Sequence, residues 1–292
     1  MARTRAEVGA GVADADLTGQ TALVTGATSG IGRETALALD RLGARVFVHG
    51  RNREAGEAVA DELDSGVFLA ADFADLDDVR SLADDVKERT ETLDVLVNNA
   101  GAHFSTGQLA NSGVELTFAV NHLAPFLLTE ELRPALADDG RVVTVSSAVH
   151  KNASLDLDAV ERIENYDGFD AYARSKLANV LFTRELARRL DGPTTNCLHP
   201  GIVPGSGLWR HASGAISLAT GALGLLPTAV LERVLDTSVT AAETSVYLAA
   251  SPDVEGVSGH YFSDCEAVQP AERARDDELA ARLWDRSVEW VN

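Results

Sequence analysis

Cysteine is almost absent: of 292 residues only Cys197 and Cys265 are cysteines, far apart and with no Cys-x-x-Cys. That excludes a disulfide framework and a zinc ribbon, and it suits a reducing compartment. Basic side chains are outnumbered, 25 Lys plus Arg against 45 Asp plus Glu, for a net charge of -20 and an isoelectric point near 4.6. Such a surface repels phosphate backbones and anionic bilayers, so nucleic acid is not an expected partner. Lysine itself is scarce: Lys87, Lys151 and Lys176 are the only three. Acidic residues spread along the whole chain, a pattern that predicts adaptation to high salt. The seven histidines show no metal-ligand spacing, and no metal is expected.

Met1 to Gln20 contains no apolar core of a signal peptide, and a cytoplasmic protein is expected. Ala212 to Leu231 lacks any charged side chain over about the 20 residues a membrane helix needs. Gly214, Gly221, Gly224, Pro227 and several hydroxyl residues dilute it, so the expectation is no membrane span but a mobile apolar lid over a ligand.

Elsewhere apolar, β-branched runs alternate with amphipathic segments, the pattern of βα units that feed a parallel sheet. Strands are expected near Thr21 to Thr25, Ala44 to His49, Val67 to Ala70, Leu93 to Asn98, Arg141 to Ser146, Thr195 to His199 and Gly259 to Phe262. Helices are expected near Ile31 to Leu42, Arg53 to Leu63, Leu76 to Arg89, Val114 to Leu136, Tyr172 to Leu190, Ala241 to Ala250 and Asp276 to Trp290. No repeat or Pro/Gly linker divides two cores. The fold class is α/β, a Rossmann-type doubly wound parallel sheet of about seven strands with helices on both faces.

The first strand runs into Thr25-Gly26-Ala27-Thr28-Ser29-Gly30-Ile31-Gly32, and an apolar-periodic helix follows at once. Glycines there admit a pyrophosphate close to the backbone, and the helix N-terminus presents free N–H groups to it. The second strand ends in His49-Gly50-Arg51-Asn52, without the acidic residue that would hold a ribose 2′-hydroxyl. Arg51, joined by Arg33, would instead pair with a 2′-phosphate through its guanidinium fork, which points to NADP rather than NAD. After the third strand Asp72 is placed to accept from an adenine amino group and Phe73 to lie against the ring. Asn98-Asn99-Ala100-Gly101 follows the fourth strand, where a small loop can touch the cofactor and side-chain amides can tie neighbouring strands.

Ser146-Ser147 and Tyr172-Ala173-Arg174-Ser175-Lys176 carry the chemistry. Tyr172 and Lys176 stand four apart on one helix face. An ammonium beside a phenol favours the phenolate and would lower its pKa toward working pH, which suits proton exchange with an alcohol oxygen. Ser147 would hydrogen-bond the same oxygen. Pro125 lacks an N–H and clashes with the carbonyl of Asn121, freeing it to hold a water that reprotonates through Lys176.

TGATSGIG at 25–32, Asp72, NNAG at 98–101, Asn121, Ser147, YARSK at 172–176 and the Pro200-Gly201 turn together resemble the short-chain dehydrogenase/reductase family over about Gln20 to Phe262. The resemblance implies a seven-stranded Rossmann fold and an Asn121, Ser147, Tyr172, Lys176 tetrad. It also implies an NAD(P) cofactor held at Gly26, Thr28, Ser29, Gly30 and Ile31, and at Arg51, Asn52, Asp72 and Phe73. Further contacts are expected at Asn98, Ala100, Gly101, Tyr172 and Lys176, and at Pro200, Gly201 and Val203. SKLANVLFTRELARRL at 175–190, HPG at 199–201, SGHYFSDC at 258–265 and RLWDRSVEW near the end resemble the retinol dehydrogenase branch, which is typically NADP-dependent and acts on apolar alcohols, aldehydes or ketones. The segment IVPGSGL at 202–208 departs from that branch, as does the N-terminus, which reads without a membrane anchor. The reaction type carries over and retinoid specificity does not.

The expected organisation is an N-terminal extension at 1–19 and a single NAD(P)-binding Rossmann domain at 20–292, with a substrate lid at about 202–235. The expected function is NADP-dependent interconversion of a small apolar alcohol and its carbonyl, by an enzyme that could form a homo-oligomer. The alternative is a non-catalytic protein that senses NADP on the same fold.

Overall fold

The computed structural model describes residues 5–201 and 237–292. Its centre is one eight-stranded sheet in the order β3-β2-β1-β4-β5-β6-β7-β8. The strands are β1 (Thr21–Val24), β2 (Arg45–Gly50), β3 (Val67–Ala70), β4 (Leu93–Asn98), β5 (Leu136–Val145), β6 (Thr194–Leu198), β7 (Tyr261–Ser263) and β8 (Glu266–Val268). The first seven pair in parallel, and β8 returns antiparallel along β7.

β8 was not expected. Its hairpin turns on Asp264 and Cys265, both with positive φ (52° and 62°), the two-residue geometry normally signalled by Asn-Gly or Gly-Gly. Cys265 carries a Cβ into that conformation, and its N–H is held by the Thr244 hydroxyl at 3.1 Å. A tertiary bond thus stands in for the missing glycine.

The helices are α1 (Ala6–Gly9), α2 (Gly30–Arg41), α3 (Arg53–Ala60), α4 (Leu76–Arg89), α5 (Leu116–Phe118), α6 (Ala124–Leu132), α7 (Gly168–Arg189), α8 (Ser238–Ala250) and α9 (Asp277–Val291). Alternation along the strands divides the core in two. Leu23, Phe47, Leu69, Leu96, Cys197 and Tyr261 face a layer that includes α4, α6, α7 and α9. Ala22, Val24, Val46, Val48, Val95, Val97 and Phe262 face α1, α2 and α8. The first residues are part of this second layer: Ala6, Val12 and Leu17 are buried in it, and Arg41 clamps the Glu7 carboxylate with two bonds of 2.8 Å.

The single helix expected over Val114 to Leu136 is divided. Between α5 and α6 a π turn spans Ala119–Leu123, and the Ala124 N–H reaches back to the Ala119 carbonyl. The wider turn sits where Pro125 would break an α-helical ladder.

α9 is fastened by rings. Trp284 stacks on Phe182 (5.9 Å, 19°), meets Phe126 edge-on (5.0 Å, 76°) and lies under the Arg189 guanidinium (4.5 Å). Trp284→Ala should lower the unfolding free energy by about 3–5 kcal/mol, because the cavity cannot collapse between two aromatic neighbours. Urea unfolding followed by circular dichroism checks this; a change under about 1 kcal/mol would mean α9 contributes little to the core.

Candidate active site

Parallel strands stop together at the carboxyl edge of the sheet, and side chains take up the backbone groups left there. Thr25 Oγ1 accepts the Asn99 and Ala100 N–H groups at 3.0 Å each and donates to the Val97 carbonyl. Asn99 Nδ2 returns a bond of 2.7 Å to the Thr25 carbonyl. β1 and β4 are thereby tied just where the glycine turn begins.

That turn is shaped for a ligand. Gly26 has φ +64°, and a Cβ there would lie 2.8 Å from Ala100 Cα; a Cβ on Gly32 would lie 2.5 Å from the Gly26 carbonyl oxygen. Both glycines are fixed by close backbone approach. Gly30, with φ +59°, has nothing within 4 Å of its Cβ position, so open space adjoins the start of α2. Ser29 forms no side-chain cap there, and among the described residues no side chain competes for the first N–H groups of this 12-residue helix. The residues present fit a dinucleotide pyrophosphate.

Across the edge, the end of β5, the π turn Ala119–Leu123 and α7 bring the four expected catalytic side chains together. Lys176 is 3% exposed, donates to the Val145 carbonyl at 3.0 Å and lies 5.6 Å from the centre of the Tyr172 ring. Asn121 uses its whole amide: Oδ1 accepts the Ala102 N–H (2.7 Å), while Nδ2 donates to the Ala102 carbonyl (2.9 Å) and to Ser175 Oγ (3.0 Å). Ser175 passes on a bond to the Tyr172 carbonyl at 2.7 Å. Gly101 runs between the two side chains, since its Cβ position is 3.4 Å from Lys176 Nζ and 3.5 Å from Asn121 Oδ1. Ser147 caps a short 3-10 turn and hydrogen-bonds Tyr172.

The electrostatics differ from the sequence expectation. Burial pushes the Tyr172 phenol well above its ordinary value, and the Ser147 hydrogen bond opposes this only in part. Burial lowers Lys176 to about 8. Burial is the first cause of both shifts, and the ammonium donates to the Val145 carbonyl. Tyr172 therefore holds its proton at neutral pH.

At the adenosine end the expected contact residues differ in exposure and in the partners they hold. Arg51 is 62% exposed and only loosely paired, 3.8 Å from Asp72. Asn52 caps α3 through the Ala55 N–H, and Asp72 binds the Ala74 N–H while staying half exposed. Thr28 and Ser29 lie on the open turn, beside Ile31 at the start of α2. Phe73 is not available to an adenine ring. It is 3% exposed and stacked on His49 (4.4 Å, 18°), because the chain after β3 turns it into the core. Asn98 is likewise buried, its amide donating to Thr129 Oγ1 at 2.9 Å, so the strand-tying Asn is Asn99. Arg33 is engaged by Glu34 and Glu62. Pro200 and Gly201 follow β6, while Val203 and the expected lid at 202–235 lie outside the described residues.

Sequence reasoning missed three supports. His49 holds the Gly26 N–H; His150 Nδ1 contacts the Ser147 carbonyl at 2.7 Å, and its Nε2 accepts the Ala271 N–H; His103 meets the Tyr172 ring edge-on at 6.2 Å. No local pattern marks them, because each bridges segments far apart in the chain. Among the described residues no group of side chains could hold a metal ion, and no helix is long and apolar enough to cross a membrane.

A family model described as short chain dehydrogenase matches residues 20–213. Retinol dehydrogenase 14 of Mus musculus is 41% identical over 289 residues, covering 92% of this chain and 85% of its own. Polyprenol dehydrogenase of Mus musculus is 40% identical over 282 residues, 91% of this chain and 82% of its own. The crystal structure of a putative uncharacterized protein from Mycobacterium paratuberculosis superposes with a TM-score of 0.75 at 32% identity, over 95% of each chain.

The buried Lys176 ammonium makes a prediction about stability. Below about pH 8 both the folded and the unfolded chain carry its proton, and the burial cost is present in full. Between about 8 and the ordinary 10.5 the folded chain releases the proton first, so stability rises with pH. The unfolding free energy of the wild type should gain on that of Lys176→Met by something on the order of 3 kcal/mol across this window. Denaturant titrations of both proteins without cofactor check it; a flat difference would mean the ammonium is solvated.

Proposed function

Because the chain belongs to the short-chain dehydrogenase/reductase family, and is thereby an oxidoreductase of CH–OH groups, we propose that it reduces apolar aldehydes or ketones with NADPH and catalyses the reverse oxidation. The convergence of Ser147, Tyr172, Lys176 and Asn121 beyond the carboxyl end of β5 carries this reading. A bound nicotinamide supplies the hydride. Ser147 and Tyr172 hold the substrate oxygen, and Tyr172, kept protonated by burial, is ready to donate to the developing alkoxide. Lys176 would hold the cofactor ribose hydroxyls on leaving the Val145 carbonyl. Asn121 keeps the loop at Ala102 fixed against α7, so any proton relay through this residue uses its main-chain carbonyl and not its amide.

NADP is favoured by the end of β2. Gly50 has no room for an acidic side chain unless Thr28 moves, since a Cβ would lie 2.4 Å from Thr28 Cγ2, and Arg51 extends into solvent next to the glycine turn. The names of two relatives, retinol dehydrogenase and polyprenol dehydrogenase, denote apolar alcohols. The uncharged stretch Ala212 to Leu231 supports the same substrate class.

Absorbance at 340 nm, followed with apolar aldehydes and ketones in dilute buffer and in molar KCl, tests the reading. Tyr172→Phe should lose about 100-fold to 10,000-fold in kcat, the range for a general acid, with NADPH affinity by calorimetry little changed. Near-normal kcat would overturn the assignment, and tight NADPH binding without turnover of any substrate would favour a sensor. NADPH should exceed NADH in kcat/KM, and Arg51→Ala should cost about tenfold of that preference, one charge-assisted hydrogen bond. Better use of NADH by the wild type would sink the NADP assignment.

A further inference from the structure

One buried ring ties together the ends of three strands beside the glycine turn. His49, the penultimate residue of β2, is 2% exposed. Its Nδ1 accepts the Gly26 N–H at 3.3 Å, and its Nε2 is 3.2 Å from the Ala71 carbonyl just past β3. These contacts define the tautomer: Gly26 can only donate, so Nδ1 is bare, and Ala71 can only accept, so Nε2 carries the hydrogen. The His49 carbonyl accepts the Ala27 N–H at 2.9 Å, and the ring lies flat on Phe73. Two successive amides of the turn, Gly26 and Ala27, are thus held by one residue.

We propose that His49 is a positioning residue for the cofactor: by holding the Gly26 N–H it fixes the phosphate-facing turn against the Ala71-Asp72 segment that would meet the adenine. The proposal rests on the cofactor reading above. Gly26 cannot be set by side-chain packing of its own, because its positive φ and the approach of Ala100 forbid a Cβ. Its orientation therefore depends on what its N–H bonds to. Since that N–H is spent on His49, the N–H groups of Gly30, Ile31 and Gly32 at the start of α2 remain to face a pyrophosphate. The ring also spans from the turn to the strand end that carries Asp72, so one side chain sets the spacing between the two halves of the cofactor site. Burial holds the imidazole neutral, its pKa drawn down to about 4, and the required tautomer persists at physiological pH.

Two conservative variants separate the two ring nitrogens. In His49→Asn the amide oxygen can take the place of Nδ1 and accept from Gly26, but the side chain is too short for Ala71. In His49→Gln the amide nitrogen can reach Ala71 and leaves Gly26 without an acceptor. His49→Leu removes both bonds. Each full-length variant is measured without cofactor for melting temperature and for hydrogen exchange over residues 25–30, then for NADPH and NADH affinity by calorimetry and for KM and kcat.

The expected result is that His49→Asn keeps NADPH affinity within about threefold of wild type, whereas His49→Gln weakens it about tenfold or more and exchanges faster at the turn. The loss should lie in KM for the cofactor and not in kcat. Equal affinity of the Asn and Gln variants, or a lowered melting temperature with unchanged affinity and exchange, would overturn the proposal and make His49 a core filler. Failure of the wild type to bind either nucleotide would overturn the cofactor reading instead. If His49→Leu does not fold, the Asn and Gln pair still decides.

Discussion

A parallel sheet ends by leaving N–H and C=O groups that no further strand residue can satisfy, and the described candidate-site residues are attached to the side chains that close that edge. An unpaired buried amide costs about 1–3 kcal/mol, so the closure is compulsory. Thr25 and Asn99 close β1 against β4, and His49 closes β1 against the end of β3. Lys176 and Asn179 share the Val145 carbonyl at the end of β5, and Ser146 Oγ bonds the Lys176 carbonyl. The side chains that satisfy the backbone thus gather at the edge where the proposal places substrate and cofactor. Stability and placement of the site are therefore one problem with one set of bonds.

The lysine shows how such a bond can be kept convertible. A buried ammonium with one carbonyl partner and no carboxylate is poorly compensated, which is why its pKa falls. Asn179 already contacts the same carbonyl at 3.3 Å, so Val145 keeps a donor if Lys176 turns away. The ammonium can then exchange a weak partner for ribose hydroxyls at little cost to the strand end. Tyr172 follows the opposite logic: burial penalises its charged form, and its proton is retained. Lys176 and Tyr172 are both shifted by the same desolvation, in the directions that make the lysine easier to neutralise and the tyrosine harder to ionise.

Features of short range were legible in the sequence; features set by long-range contact were not. The glycine turn, the Tyr-x3-Lys spacing and the bounds of α4 follow from residues within one turn or one strand of each other, and the structure places them where the pattern does. Phe73 and Asn98 were misread for a common reason. Position after a strand says that a residue is near the edge, while which side it faces depends on His49 in the first case and Thr129 in the second. β8 escaped because Thr244, not glycine, stabilises its turn. Arg33 looked available beside Arg51 until Glu62, 29 positions away, claimed its guanidinium. The tetrad could be listed from sequence, but the protonation states of Tyr172 and Lys176 depend on burial that no spacing reveals.

The acid-rich surface bears on how a phosphate-bearing cofactor could bind at all. A chain of net charge -20 repels a dinucleotide at long range, and that repulsion decays over about 10 Å at 0.1 M salt and about 3 Å at 1 M. Many of the described arginines do not offset it, because they are spent on neighbouring carboxylates: Arg41 on Glu7, Arg89 on Asp85, Arg188 and Arg189 on Glu185. Arg51 is different, with one distant partner at 3.8 Å and most of its side chain in solvent. A fork on a 2′-phosphate acts at contact distance, where screening is weakest, while the surface field it works against is removed by salt. High ionic strength would thus erase the long-range repulsion and leave most of the short-range attraction in place, so an acidic exterior is compatible with the proposed 2′-phosphate contact at Arg51.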